Sequence, residues 1–456
     1  MHQDNLDLFL SRFAEDFSFP KGAMEDLVTS MHDAMQRGLA GEECPLKMLP
    51  TFVGRPRGTE KGRYLAIDLG GTHVRILLVE LDGRRGSRMR GVSRFAIPQE
   101  ILGGDGKDLF DLIASGVAAF LREHAWPAGR HPRLAFTFSF PFAQTSPASG
   151  KLLEWTKGFT ASGVVGRDVA VLLEEALGRR GLASIRVAVL TNDTVGTLAA
   201  GAYGNPICDL GVILGTGTNA CYPEKNGRIA RHPELAVGGE TIVNMEWGGF
   251  DGFEATPYDE AIDLASANPG RQLLEKRVSG MYLGEIARRV LVAAADQKGL
   301  FSGHLPGPLA IAQSLSTEDL SRIARGAAVQ AIPALSTASS RDGQAIRDIG
   351  RIVATRAARI AAAAMAAVIL WLDPPLQRDH LIAVDGTLFE KYPGFRETIR
   401  AAHRELFGDR AGRVRMALVK DGSGIGSAIL GAAVSESNAC LCHRPLTAEV
   451  SDRLDR

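Results

Sequence analysis

Three glycine-rich turns in this chain carry groups suited to holding phosphate. The first, Asp68-Leu69-Gly70-Gly71-Thr72, joins two β-type runs in "YLAIDLGGTHVRILLVELDG", with an acid before the glycines and a hydroxyl after them. Bare glycine backbone lets N–H groups approach an anion closely. Asp68 stands where a Mg2+ ion or its water could be held, because that ion takes one or two carboxylates together with substrate phosphates. The second turn, "GTGTNA" from Gly215 to Ala220, offers the same chemistry. In the third, "DGSGIGSA" from Asp421 to Ala428, glycines precede a helix whose first amides and dipole suit an anion or a nucleotide. Taken singly, a Gly-Gly hairpin tip has a plain backbone explanation, since type I′ and II′ turns need positive φ. There is no GxxxxGK[ST] and no HRD or DFG set, so neither a P-loop nor a protein-kinase site is present.

A second group of residues is chemically different. "FTFSFPF" ends a β-type run with Ser139, and "EWTKGF" carries Thr156 and Lys157. "LTNDTVGT" places Asn192 and Asp193 where a strand gives way to a helix. Asn219 follows the second glycine turn, Glu246 lies in "NMEWGGF", and Glu275 lies in "NPGRQLLEKRVSGMYLGE". Together they supply hydroxyl, amide, carboxylate and ammonium groups. A buried pyranose needs such a ring of donors and acceptors, because each hydroxyl must be paired. Each residue also has a bland explanation: Asp193 and Asn192 as cap or turn residues, Lys157 and Glu275 as solvated charges, Ser139 as a strand end.

The elements that would position these groups recur along the chain. Residues up to about 60 read as helical, then turn-rich. Three strand-like runs follow from Tyr64, then a helical stretch, "DLFDLIASGVAAFLREH", and the strand "RLAFTFSF". A second series opens near Ile185 with "RVAVLTND", a helix start and the hairpin "LGVILGTGTNACY", and continues through "LIAVDGTLF" and "VRMALVKDGSGIGSAILGAA". The repeat is one of structure, and it predicts two similar α/β domains with substrates in the cleft between them.

Composition narrows the classes of partner. The chain has 456 residues, enough for two domains, with 52 basic and 52 acidic residues. That balance argues against a nucleic-acid partner. The N-terminus, "MHQDNLDLFL", does not read as a secretory signal. "IAAAAMAAVILWL", Ile360 to Leu372, is shorter than the ~20 residues needed to cross a bilayer and reads as a buried Ala-rich helix. Five cysteines without a CxxC fit reduced thiols in a cytoplasm, and "CLCH", Cys440 to His443, reads as an ordinary tail.

The chain resembles the hexokinase family, of the type that includes eukaryotic hexokinases and glucokinases. The resemblance runs from about Phe19 to Ala433. It is carried in order by "LKMLPTFVGRPRGTEKGRYLAIDLGGTHVRILLVEL", "FTFSFPF", "WTKGF", "TNDTVGTLAAGAY", "GTGTNACY", "NMEWGGF", "NPGRQLLEKRVSGMYLGE", "VDGTLFEKYPGF" and "DGSGIGSA". It implies the two-domain actin-like ATPase (ribonuclease H-like) α/β fold, with a cleft between a small and a large domain. The expected division is 1–62 as an N-terminal helical part of the large domain, 63–190 as the small domain, 191–433 as the large domain, and 434–456 as a tail free to return to the small domain.

The resemblance also implies roles. The hexose would be bound by Ser139, Thr156, Lys157, Asn192, Asp193, Asn219, Glu246 and Glu275, with Asp193 as catalytic base and Lys157 neutralising charge. ATP phosphates would lie against Asp68, Gly70, Gly71, Thr72, His73 and Arg75, against Gly215, Thr216 and Gly217, and against Gly422, Ser423 and Gly424. Gly280 and Met281 would begin the nucleotide side, and Asp68 would hold Mg2+ through water. The implied reaction is ATP-dependent phosphorylation of the 6-hydroxyl of D-glucose or a related hexose. Small molecules are then the only partners expected, without nucleic acid or membrane, for a cytoplasmic monomer or homodimer. His73 and Val74 depart from the family's usual asparagine and aromatic residue. Two rivals share parts of this pattern: a silent sugar sensor of the same fold, and an actin-like or chaperone-like ATPase that binds protein. Intact Asp193, Asp68 and Lys157 disfavour the first, and the hexose cluster disfavours the second.

Overall fold

The computed structural model describes residues 2–124, 126, 132–156, 158–235, 238–298 and 300–442. Its first complete sheet grows from the opening hairpin. Strands β2 (Lys61–Leu69) and β3 (His73–Asp82) pair antiparallel, and β4 (Ser87–Ala96) adds antiparallel to β3. Then β5 (Leu134–Phe138) and β8 (Val187–Thr191) extend the sheet in parallel on the other side, giving the order β4-β3-β2-β5-β8. The inner strands are buried on both faces, as near-continuous apolar runs such as "YLAIDL" require. Between β5 and β8, strands β6 (Phe142–Ser146) and β7 (Ser149–Leu152) form a small separate hairpin.

The second sheet repeats the plan. Strands β9 (Cys208–Leu214), β10 (Thr218–Lys225) and β11 (Glu240–Asn244) are antiparallel neighbours. Strands β12 (His380–Asp385) and β13 (Val414–Leu418) run parallel beyond β9. A short N-terminal strand, β1 (Leu49–Pro50), caps the β11 edge. The order β11-β10-β9-β12-β13 therefore matches β4-β3-β2-β5-β8 strand for strand.

Two helices tie the sheets together by exchange. Helix Asp193–Gly204 follows β8 of the first sheet and packs on β9, β10 and β12 of the second. Helix Gly422–Cys442 follows β13 of the second sheet and packs on β2, β5 and β8 of the first. The two helices cross where neither has a side chain. A Cβ on Gly426 would lie 1.7 Å from the Gly196 carbonyl oxygen, and a Cβ on Gly196 would lie 2.3 Å from that of Ser423. The boundary expected at 433 thus falls inside a helix. Its residues pack on the small sheet from Gly424, beside Leu77, to Gly431, beside Ala135 and Val189. The sequence "GIGSAILGAA" is small and apolar on every side, so it did not reveal which sheet it covers.

The N-terminal helices belong with the second sheet. In helix Lys21–Ala40, Met24, Leu27, Met31 and Met35 recur at helical spacing and are all buried, and Gly41 ends the helix at φ 86°. They face helix Asp342–Leu372, which passes through the core of the large domain. That helix is 31 residues long, so the apolar run from Ile360 is only its second half. It is long and apolar enough to cross a membrane, but 83% of its most apolar window is buried inside the protein. The backbone of Cys440 to Cys442 continues the final helix, while His443 and the side chains of the "CLCH" stretch lie outside the described residues.

The crossing of the two helices gives a direct expectation. Gly426→Ala places a methyl group into a main-chain carbonyl, and overpacking of this kind costs about 1–3 kcal/mol even where side chains can yield. The variant should melt several degrees below the parent in a thermal scan. Gly204→Ala, at a position with open space around the new Cβ, should melt within a degree or so of it.

Candidate active site

Asp68 and Arg75 are directly opposite one another across the β2–β3 ladder, so sheet register alone brings them together. The Arg75 guanidinium donates to Asp68 Oδ2, reaches Asp421 Oδ1 at 2.5 Å and Ser423 Oγ at 2.9 Å. Ser423 Oγ in turn donates to Asp68 Oδ2 at 2.8 Å. The first and third glycine turns, some 350 residues apart in sequence, thus share one polar network. Thr72 Oγ1 and His73 Nδ1 are hydrogen-bonded at 2.8 Å at the hairpin tip.

The second turn closes the group. Gly215 N donates to Gly217 O at 3.0 Å, and the tip is laced to the next segment by Gly280 N to Gly215 O (2.8 Å) and Met281 N to Thr216 O (3.1 Å). A residue that sequence reasoning had not assigned stands between the turns: Asp385, the last residue of β12. Its neighbour Gly386 is packed so tightly that a Cβ there would meet the Leu214 carbonyl oxygen at 2.2 Å. Burial pushes the Asp385 carboxyl up to about 6, against the lowering pull of the Gly386 amide, Arg75 and the Gly422 amide. The signal was present in the sequence: "VDGT" repeats the acid-then-glycine pattern of "DLGGT" at the end of β12, the inner strand beside β9.

The glycines of these turns do not serve one purpose. None of Gly70, Gly71, Gly215 and Gly217 has positive φ, so the plain hairpin-turn explanation does not hold. Gly217, Gly280 and Gly424 have packing reasons, because a Cβ would lie 2.6 Å from Glu275 Oε2, 2.9 Å from Gly215 O and 2.8 Å from Leu77 Cδ1 respectively. At Gly70 a Cβ would meet only the His73 carbonyl oxygen, at an ordinary 3.7 Å. The folded chain itself gives no reason for glycine there, whereas an approaching ligand would.

The polar set forms a second cluster adjoining the first. Asn219 Nδ2 donates to Asn244 Oδ1 (2.9 Å) and to Glu246 Oε1 (3.1 Å), and Asn244 Nδ2 donates to the same Glu246 oxygen at 2.8 Å. Glu246 is buried and holds a left-handed backbone, φ 53° and ψ 47°, a conformation that costs energy in a non-glycine residue and concentrates at functional sites. Glu275 Oε2 accepts from Thr218 N at 3.0 Å, one residue beyond the second glycine turn. Gln272 shares the strained left-handed conformation (φ 55°) and lies against Gly248, next to Glu275. Sequence reasoning assigned no role to Asn244 or Gln272, although both lie inside the motifs that carry Glu246 and Glu275.

The opposite wall comes from the small domain. Ser139 is buried just past β5, and its N–H donates to Leu69 O beside the first hairpin. Thr156 follows Trp155, whose ring stacks on Phe159 (centroids 5.2 Å apart) and meets Phe140 edge-on, so this segment is held by aromatic packing. Lys157 lies outside the described residues. Asn192 is the N-cap of helix Asp193–Gly204, its Oδ1 accepting from Thr194 N at 3.0 Å. Asp193 is the first helical residue, and Thr194 N also donates to its Oδ1 at 2.9 Å, which fixes the carboxylate's orientation.

Two matching sheets joined by exchanged helices, with acid-and-glycine turns facing one another from each, define an actin-like ATPase fold. A solved hexokinase from Schistosoma mansoni, complexed with glucose, superposes with a TM-score of 0.85 at 34% identity, covering 95% of this chain and 100% of that one. Another solved hexokinase has a TM-score of 0.80 at 31% identity, covering 94% and 100%. Two family models described as hexokinase match residues 9–203 and 209–433. Among curated proteins, hexokinase-1 of Arabidopsis thaliana is 40% identical over 451 residues, covering 93% of this chain and 91% of that protein. Hexokinase-2 of Oryza sativa subsp. japonica is 40% identical over 454 residues, covering 94% and 92%. The chain belongs to the hexokinase family of phosphotransferases.

The raised Asp385 carboxyl has a testable sign. Its folded value, about 6, lies above the ~4 of an unfolded aspartate, so the fold penalises the ionised form. The penalty is full above about pH 6 and fades as pH falls toward 4. Asp385→Asn should therefore melt higher than the parent at pH ~7.5, with the advantage shrinking near pH ~5, in thermal scans across that range.

Proposed function

We propose that the protein transfers the γ-phosphoryl group of ATP to the 6-hydroxyl of a hexose, with D-glucose as the first substrate to test and mannose and fructose as related ones. The observation that carries this is the physical joining of the two clusters. Glu275, in the hydroxyl-binding group, is bonded to Thr218, which directly continues the phosphate-type turn Gly215–Gly217. A sugar held by Asn219, Glu246 and Glu275 would then present a hydroxyl beside the bound nucleotide.

In this reading Ser139, Thr156, Lys157 and Asn192 complete the hexose site from the other wall. Asp193 takes the hydroxyl proton as the oxygen attacks phosphorus, and Lys157 neutralises charge on the group in transfer. The Thr194 N–H bond keeps the Asp193 carboxylate in place, which suits a base that must meet one proton. Most of the acceleration would come from positioning and charge stabilisation. The backbone around Gly70 to His73, Gly215 to Gly217 and Gly422 to Gly424 faces the phosphates, Arg75 adds positive charge, and Gly280 and Met281 begin the nucleoside side.

A divalent cation fits the residues present. Asp68 and Asp385 are hard oxygen donors from the two sheets, and among the described residues no group of three or more His, Cys, Asp or Glu could form a complete protein cage. That donor set suits Mg2+, which keeps water and substrate phosphate as its other ligands. When bound, it would offset charge on the β- and γ-phosphate oxygens. Cys44, Cys208 and Cys221 are free thiols, which supports a reducing compartment such as the cytoplasm. A monomer or homodimer remains the working assembly.

The assay that decides the proposal is glucose-dependent release of ADP from MgATP. Without added hexose, the release should be slow. A protein-directed ATPase would instead turn over at a rate independent of sugar. Asp193→Asn should lower kcat by ~10²–10⁴-fold while glucose affinity, measured by calorimetry, stays within a few-fold of the parent. A near-parental kcat would assign the base elsewhere. Gly70→Ala tests the phosphate placement. Alanine keeps the backbone N–H, so the effect is steric: a Cβ that holds phosphate off the turn's amides, contacts worth about 1.5–3 kcal/mol, should raise the KM for MgATP roughly tenfold or more. Glucose KM and melting temperature should hold, since the new Cβ meets only one atom at 3.7 Å.

A further inference from the structure

Glu154 lies two residues before Thr156, at the edge of the small domain, and both of its carboxylate oxygens are engaged by cations of the large domain. Lys47 Nζ reaches Oε1 at 2.6 Å and Arg271 NH1 reaches Oε2 at 2.8 Å. Neither contact is within one element. Lys47 lies between helix Lys21–Ala40 and β1, and Arg271 lies in the loop before helix Leu273–Val278. Burial alone would raise the Glu154 carboxyl, but the hydrogen bonds and charges of Lys47 and Arg271 hold it below the usual range.

What sets this cluster apart from an ordinary surface pair is where its three members sit. Glu154 and Arg271 belong to segments that carry residues of the hexose cluster, and Lys47 to one that is bonded beside a third. Lys47 is fixed by Arg231 NH1 donating to its carbonyl at 2.9 Å, and the next residue, Met48, bonds to Met245 O, immediately before Glu246. Arg271 precedes Gln272 and helix Leu273–Val278, which bears Glu275. Glu154 precedes Trp155 and Thr156, locked into the small-domain aromatic packing. The carboxylate therefore joins one wall of the cleft to two independent segments of the other. When the walls separate, both contacts must break together and both cations must rehydrate.

We propose that Glu154 is a positioning residue that clasps Lys47 and Arg271 across the cleft and holds the hexose site closed around its ligand. The inference rests on the reading of this cleft as the hexose site. The Lys47 arm carries more of the effect, because its side chain is 30% exposed against 69% for Arg271, and an exposed cation is better screened. Closure completes the site by bringing Thr156 and its neighbours against Asn219, Glu246 and Glu275. Loss of the clasp should therefore weaken retention of the sugar and leave the nucleotide contacts as they are.

The test uses the full chain with Glu154→Gln, Lys47→Met and the double variant. Glu154→Gln and Lys47→Met should each raise the glucose KM roughly fivefold, the equivalent of a partly buried ion pair. The MgATP KM should not move, and kcat should stay within about twofold of the parent. The double variant should be no worse than the single ones, because one interaction is removed only once. Thermal scans separate a clasp from a merely structural contact. Without sugar the variants should melt with the parent, and saturating glucose should raise their melting temperature by less than it raises the parent's. A parental glucose KM in Glu154→Gln overturns the clasp, as do additive effects in the double variant. An equal loss of melting temperature with and without glucose overturns it as well. If the parent itself shows no glucose-dependent ADP release, the hexose reading fails first and takes the clasp with it.

Discussion

The main-chain contact between Gly196 and Gly426 is the constraint on which the rest of the structure depends. With no side chain at the crossing, the two exchanged helices approach to backbone distance. Because each helix follows the last strand of one sheet and lies on the other, their separation fixes how far apart the sheet ends sit. Those ends hold Asp68 and Asn192 on one side and Gly215 and Asp385 on the other. A Cβ at the crossing would lie 1.7 Å from a main-chain carbonyl oxygen, so a bulkier residue there must push the helices, and with them the walls, apart. Catalytic geometry here is thus set first by the absence of two methyl groups and only then by the polar residues.

The electrostatics follow from that approach. Three carboxylates, Asp68, Asp385 and Asp421, converge on the single Arg75 guanidinium. An acid-rich pocket of this kind would repel a bare polyphosphate and favour one that arrives with its cation. The raised Asp385 carboxyl records the same crowding from the protein's side: burial and a neighbouring acid disfavour one more negative charge.

Much of this was legible in the residues. Apolar runs of strand length placed the inner strands, and the two hairpins with their glycine tips showed the repeated plan before any contact was known. Sequence could not show the exchange of helices, because "GIGSAILGAA" is apolar all round and its destination depends on the small sheet offering a complementary face. The apolar run from Ile360 reads correctly as a buried helix, and the structure extends that helix back to Asp342 through a charged stretch in which Arg356 is buried and paired with Asp259. At the site, charged and glycine positions stood out, while Asn244 and Gln272 did not. Their importance lies in hydrogen bonding and strained backbone, and neither leaves a distinctive residue type. Gly70 is the converse case: its identity was plain, but only the space around it shows that the turn does not require it.

The covering of the small sheet has a consequence for how the chain is made. Ala66, Leu77, Ala135 and Val189 on its inner face are buried by Ala428, Ile429 and Ala432, which are among the last residues of the described fold to leave the ribosome. Until that helix emerges, a finished sheet waits with one apolar face bare while more than two hundred further residues are added between β8 and β13. Synthesis therefore leaves an early domain open until a late segment returns to it, so the growing chain must be kept from associating with its neighbours through that face. A release of translation just short of residue 422 would give a protein with all its strands, and with a surface that no soluble protein tolerates for long.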